Sequence, residues 1–205
     1  MINLKLGTIK EPLPDFILEK LKHAFDNANN YPQNYNALIE KLAKHHKISK
    51  DKILLVNGVD SAIDLITRVL AKKAYYYEPT YYEFWAAPKR NNIDFEALKS
   101  SYDERYIIET RAFDRDTVLF LCNPNNPFGE ISVEQILEFA SKSKGYVSVD
   151  ETYIEFSGES PLKELDKYPN LILMRSFSKT YRMAGLRVGY IIAAPELIKT
   201  LEERK

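Results

Sequence analysis

Leu171-Ile-Leu-Met-Arg-Ser-Phe-Ser-Lys-Thr-Tyr-Arg-Met-Ala-Gly-Leu-Arg-Val-Gly-Tyr-Ile-Ile-Ala-Ala194 contains two apolar runs, Leu171–Met174 and Val188–Ala193, joined by a polar loop. Each run is too short for a helix and has the composition of a buried strand. Working back from it, Ile53–Val56, Ala74–Tyr77, Thr117–Cys122 and Tyr146–Val149 are further strands of this kind. Amphipathic segments lie between them. Val59–Leu70 turns Ala62, Ile63, Ile66, Val69 and Leu70 inward, Thr80–Ala87 reads as a helical turn, and Val133–Lys142 is a helix. Buried strands alternating with helices give an α/β fold with a mostly parallel central sheet flanked by helices.

Residues 1–13 read as an irregular arm. Pro14 suits a first helical position, and Phe16, Ile17, Leu21, Ala24 and Phe25 follow at helical spacing. Asn27–Asn36 is a polar break, and Asn36–Lys47 is a second amphipathic helix. The division is therefore an arm and helix over 1–30 and one large domain over 31–205. Pro195 opens a terminal helix.

The chain has 205 residues, of which 45% are hydrophobic and 28% charged, enough to bury a sizeable core. Lys+Arg and Asp+Glu each number 29, so the formal net charge is zero. That balance argues against broad binding to nucleic acid or an anionic membrane, but not against a local anion site. No stretch is long and apolar enough to span a bilayer, and the first residues do not read as a signal peptide. The one cysteine, Cys122, has no partner for an intrachain disulfide, which fits the cytoplasm. His23, His45 and His46 lie on helices without matching ligand spacing and read as surface or rim residues, with no metal site expected.

In an open parallel sheet, ligands sit beyond the carboxyl ends of the strands. The polar loop after Met174 carries Lys179, with Ser176 and Ser178 before it and Arg187 after it. One amine, two hydroxyls and one fixed cation suit a phosphorylated aldehyde, with pyridoxal 5′-phosphate the leading candidate. The lysine would hold the aldehyde as a Schiff base, and the other groups would hold the phosphate.

Other strand ends carry matching chemistry. Asp150 could pair with a protonated pyridine nitrogen, or serve as a helix cap or metal ligand. Tyr153 could donate to a phenolate oxygen, or be an ordinary half-buried tyrosine. In Cys122-Asn-Pro-Asn-Asn-Pro-Phe-Gly129, Asn126 could reach the same oxygen, or merely shape the turn. Backbone N–H groups of Val59, Asp60 and Ser61, at a helix N-terminus, could receive phosphate, with Asp60 and Ser61 as N-caps the alternative. Tyr81 could stack on a flat ring or pack in the core.

The order and spacing of these segments resemble the fold-type I pyridoxal-phosphate aminotransferases, most of all their histidinol-phosphate branch. The stretches Val149-Asp-Glu-Thr-Tyr-Ile-Glu-Phe-Ser157, Tyr168-Pro-Asn-Leu-Ile-Leu173 and Arg175–Tyr190 carry the likeness. It covers nearly the whole chain, more weakly before about residue 30. The resemblance implies that Lys179 is the Schiff-base lysine, Asp150 the ring-nitrogen partner, and Tyr153 and Asn126 the phenolate donors. It implies phosphate anchors at Ser176, Ser178, Arg187 and the backbone of Val59, Asp60 and Ser61. Tyr81 would stack on the ring. Tyr31 would reach the phosphate of a neighbouring subunit, so that the site is completed in a homodimer. The implied substrates are a small-molecule amino donor, histidinol phosphate, and a 2-oxo acid, 2-oxoglutarate.

Three departures stand out. Phe128 replaces the threonine of the family's Asn-Pro-Thr-Gly turn, and Ser61 stands where an acidic residue is frequent. The arm reads Gly7-Thr-Ile-Lys-Glu-Pro12 instead of Asn-x-Asn-Pro, which puts substrate contacts from the arm in doubt. The family also continues into a small C-terminal domain, expected to be missing here because the chain stops at Lys205. Two rival functions follow: a threonine-phosphate decarboxylase or broader amino-acid aminotransferase, and a non-catalytic binding or assembly module that keeps only the cofactor fold.

Overall fold

The computed structural model describes residues 7, 9, 11–31 and 35–205. Two helices come first, α1 (Asp15–Phe25) and α2 (Tyr35–His46). Next are β1 (Ile53–Val56), α3 (Gly58–Leu70), β2 (Lys73–Glu78), α4 (Glu83–Arg90) and β3 (Asp94–Lys99). A hairpin, β4 (Ser101–Asp103) and β5 (Arg105–Ile107), leads to β6 (Thr117–Cys122), α5 (Val133–Lys142) and β7 (Tyr146–Asp150). The chain then runs through α6 (Ile154–Ser157), β8 (Leu171–Ser176), β9 (Gly189–Ile192) and α7 (Pro195–Glu202).

Seven strands form one sheet in the order β1-β9-β8-β7-β6-β2-β3. From β8 to β3 every pairing is parallel. Among the described strands of this sheet, β9 alone is reversed, antiparallel to both β8 and β1. The mostly parallel sheet read from the sequence is therefore what forms, with one return strand.

The central strands are mainly apolar because both faces are covered. In β8, Ile172 and Met174 pack into a core shared with α3, α4 and α7, while Leu171 and Leu173 pack on the opposite face with residues of α2 and α5. In β6, Val118 and Phe120 join the first core, and Leu119 and Leu121 the second. That alternation is the strand's two-residue period meeting helices on both sides. Each such large side chain, fully withdrawn from water, contributes roughly 1.5–3 kcal/mol.

Local chemistry sets several ends. The Ser132 hydroxyl accepts from the Gln135 N–H at 3.2 Å and caps α5. Pro195 occupies the first turn of α7. Pro14 caps α1 instead of starting it. The predicted turn at 80–87 is a helix that reaches Arg90 with Pro88 inside it. β3 and the β4–β5 hairpin were not expected from the sequence.

Candidate active site

The sheet register lays out the site. Cys122 pairs with Asp150, and Asp150 with Met174, at the ends of β6, β7 and β8. Two residues further along β8, Ser176 lies opposite Gly189, which in turn lies opposite Val56 at the end of β1. Reversal of β9 brings the loop 177–188 back to the same edge. Lys179 and Arg187 are thereby held at the end of the sheet where Asp150 emerges.

Asp150 is 3% exposed, and its carboxylate accepts the Thr152 N–H at 2.9 Å. Burial pushes its pKa up to about 6, against the lowering effect of the Thr152 bonds. Its charge acts on Lys179, Tyr153 and Tyr81, which places all four in one field.

Lys179 is half-buried. Its Nζ donates to the Gly7 carbonyl at 3.3 Å and lies 5.6 Å from the centre of the Tyr153 ring. Burial lowers its pKa, and the charges of Asp150 and Asp60 offset only part of that. An amine below its ordinary range is a better nucleophile near neutral pH. Burial, then Cys122 and Asp150, raise the Tyr153 phenol, so it stays a proton donor. The Gly7 carbonyl thereby brings the arm to Lys179.

The other end of the site gathers a cation and a helix N-terminus, groups that suit an anion. Gly58 starts α3 with φ +79°, a left-handed conformation that glycine accepts freely. A methyl group on it would sit 2.8 Å from the Arg187 guanidinium. The first-turn N–H groups of Val59, Asp60 and Ser61 belong to this helix N-terminus, whose dipole favours negative charge. Arg187 Nη2 lies 2.8 Å from Asp60 Oδ2, and the Tyr81 hydroxyl donates to Asp60 Oδ1 at 2.7 Å. Burial first, and then the Asp60 carboxylate, raise the Tyr81 phenol. Ser176 is buried, and its Oγ accepts the Ser178 N–H at 2.9 Å, which fixes the start of the lysine loop.

Two expected residues stand apart. Asn126 is exposed, in a turn closed by reciprocal backbone bonds between Asn125 and Gly129 at 2.6 and 2.8 Å. Its backbone touches the Cys122 thiol, and no described side-chain bond ties it to Tyr153. Tyr31 is 93% exposed, and none of the described contacts joins it to the site. The three histidines also differ from one another. His46 is half-buried, bonds to the Tyr190 hydroxyl at 2.9 Å, and is pushed down to about 4, chiefly by burial.

The arrangement pairs a nucleophilic amine, a buried carboxylate and a phenol with an anion cradle on the neighbouring strand ends. Thr152 as the donor to Asp150 carries no residue-type signature in the chain. Only the side-chain habit of an Asp accepting a backbone N–H two residues on could have suggested it.

The sequence pattern of the aminotransferase class I and II family matches residues 1–205. A relative named histidinol-phosphate aminotransferase, from Francisella philomiragia subsp. philomiragia, is 36% identical over 191 residues, covering 85% of this chain and 52% of the relative. Among solved structures, the histidinol-phosphate aminotransferase from Clostridium acetobutylicum superposes with a TM-score of 0.81 at 25% identity, over 97% of this chain and 62% of that one. The enzyme of that name from Sinorhizobium meliloti, solved in complex with pyridoxal-5'-phosphate, gives 0.83 at 23% identity, over 98% and 58%. The chain spans about half the length of the curated relatives it matches.

Proposed function

The chain belongs to the class I and II aminotransferase family, and on that premise we propose that it provides the cofactor-binding part of a pyridoxal-phosphate enzyme that moves the amino group of histidinol phosphate to 2-oxoglutarate. The observation that carries this reading is the convergence of Lys179, Asp150 and Tyr153 beside the Arg187–Gly58 cradle at one end of the sheet. The substrate assignment is supported by relatives bearing the histidinol-phosphate name at 33–36% identity.

The residues fit a phosphorylated pyridine aldehyde. Gly58 leaves room for the Arg187 guanidinium, and the α3 N-terminus suits a phosphate. A protonated ring nitrogen would offset the burial of the Asp150 carboxylate. When bound, the cofactor supplies an aldehyde to take up the amino group and a cationic ring to withdraw electrons.

The protein's own groups do the rest. With the cofactor bound, Lys179 Nζ would hold the aldehyde and, once displaced by the donor's amine, would carry the donor's Cα proton to the former aldehyde carbon. Asp150 would keep a proton on the ring nitrogen. Tyr153 would donate to the phenolate oxygen, joined by Asn126 once its exposed side chain turns inward, and Tyr81 would lie against the ring. Ser176, Ser178, Arg187 and the N–H groups of Val59, Asp60 and Ser61 would hold the phosphate. In a cytoplasmic homodimer, Tyr31 of the second subunit would close the phosphate site, which fits its exposure here.

Borohydride reduction with pyridoxal phosphate, followed by peptide mapping, should place the pyridoxyl group on Lys179. A label on another lysine, or no label, would remove the reading. Rates with histidinol phosphate, aspartate and threonine phosphate then rank the donors, and the first should be fastest.

A further inference from the structure

Beneath the site lies an ion pair that the mechanism does not use. Glu151, directly after Asp150, is fully buried, and Arg175, directly before Ser176, is 7% exposed. Arg175 Nε donates to Glu151 Oε2 at 2.8 Å. The Ser160 hydroxyl donates to Glu151 Oε1 at 2.5 Å and accepts from Arg175 Nη2 at 3.1 Å, closing a three-membered ring of bonds. The Glu151 N–H adds a bond to the Met174 carbonyl at 2.8 Å. From β9, buried Tyr190 sits opposite Arg175 in the register, and its hydroxyl is bonded to His46.

Each member of the pair is the chain neighbour of a site residue on a different strand. We propose that Glu151, Arg175 and Ser160 form a positioning clamp, which sets the separation between the Asp150 carboxylate and the Ser176–Lys179 loop. The inference rests on the cofactor reading above.

Stability alone is a poor reason for this pair. Taking two charges out of water costs much of what their attraction returns, and well-packed apolar replacements are frequently as stable. What an apolar pair cannot do is fix direction. The planar guanidinium, held by a carboxylate and a hydroxyl together, ties the end of β7 to the end of β8 at a set angle and distance. A site whose anchors come from two strands needs that kind of support from the residues behind them.

The test uses the full chain with pyridoxal phosphate as probe. Glu151→Gln is nearly isosteric and keeps an acceptor for Arg175. The double variant Glu151→Leu/Arg175→Met removes both charges and restores packing. Three quantities are read: the thermal midpoint of the cofactor-free protein, cofactor affinity by equilibrium dialysis, and the pH midpoint of the visible absorbance band of the bound cofactor. The double variant should keep a near-native thermal midpoint, yet bind cofactor roughly ten-fold more weakly, the scale seen when supporting residues behind a site are lost. Its absorbance midpoint should also move. Folded Glu151→Gln should show the same two changes to a smaller degree. Native affinity and an unmoved absorbance midpoint in either folded variant overturn the clamp. If borohydride labels Lys179 in the unaltered protein while the variants behave like it, the clamp alone fails; if the unaltered protein takes no label, the cofactor reading fails with it.

Discussion

The Arg187 guanidinium and the Asp60 carboxylate lie 2.8 Å apart, across the mouth of the anion cradle. The cation best placed for a phosphate is thus shared with a carboxylate already in the site, and Tyr81 holds that carboxylate from its other oxygen. Both ionic partners are substantially exposed, so the pair is a weak, displaceable one.

Asp60→Asn should therefore free Arg187 without loosening Tyr81, since the amide oxygen still accepts the phenol. Inorganic phosphate should bind the cofactor-free variant more tightly, by up to about five-fold, given the roughly 0.2–1 kcal/mol scale of exposed ion pairs. Calorimetric titration measures this directly. Equal or weaker phosphate binding would mean that Asp60 does not compete for Arg187.

Gly58→Ala tests the cradle from its other wall. The left-handed φ of +79° should cost an alanine about 1–2 kcal/mol, lowering the melting temperature by several degrees. The added methyl would also push against Arg187, so phosphate affinity should fall beyond what the stability loss explains. A melting temperature unchanged from that of the parent would contradict the backbone argument.

Asp150→Asn should stabilise the cofactor-free protein while spoiling the site. Burial moves the folded-state carboxyl from the model-peptide value of 3.8 up to about 6. Between those values the folded state holds a proton that the unfolded state has lost, so stability falls as pH rises through that window. The variant's advantage should accordingly be absent below about pH 4, grow up to about pH 6 and stay level above, reaching on the order of 2–3 kcal/mol. Denaturant unfolding at a series of pH values reads the curve. An advantage that shrinks with rising pH would reverse the assignment.

Much of this layout is legible in the chain because local pattern and burial agree. Thr117–Cys122 is apolar after Thr117, Tyr146–Asp150 is apolar apart from Ser148 and its last residue, and both are central strands with core on either face. β3 escapes notice for the opposite reason. Asp94-Phe-Glu-Ala-Leu-Lys99 is an edge strand, charged at several positions, and it leaves Phe95 40% exposed. Its place is set by hydrogen bonds to β2, not by a hydrophobic run. The site divides in the same way. Lys179, Arg187 and Asp150 sit at strand ends that the pattern marks, whereas the Glu151–Arg175 pair joins distant positions and has no local signature. The contact of the arm through the Gly7 carbonyl uses backbone alone, which no side-chain motif records.

Phe128 supplies a further test. Its ring stacks on Tyr102 at 5.4 Å and lies 5.6 Å from Tyr106, joining the turn that bears Asn126 to the β4–β5 hairpin. Phe128→Thr, the residue expected from the family's turn, should remove both contacts and cost about 1–2 kcal/mol, with each aromatic pair worth about 0.5–1.5 kcal/mol. Limited proteolysis should then cut the 101–107 segment faster while the central sheet stays protected. An unchanged cleavage rate would show that the hairpin does not depend on the ring.

The reversed strand also governs the order in which the molecule can be completed during synthesis. Among the described residues, β1 is hydrogen-bonded into the sheet through β9 alone. A ribosome delivers Ile53–Val56 long before Gly189–Ile192 exist to receive them, and pairings so distant in sequence are slow to form. Until then, α3 can rest on β8 and α4, but Gly58 lacks Gly189, the residue packed against it. A nascent chain arrested just short of β9 would already carry Asp150 and Lys179, but the return that sets Arg187 beside Gly58, where a phosphate is proposed to sit, would be missing.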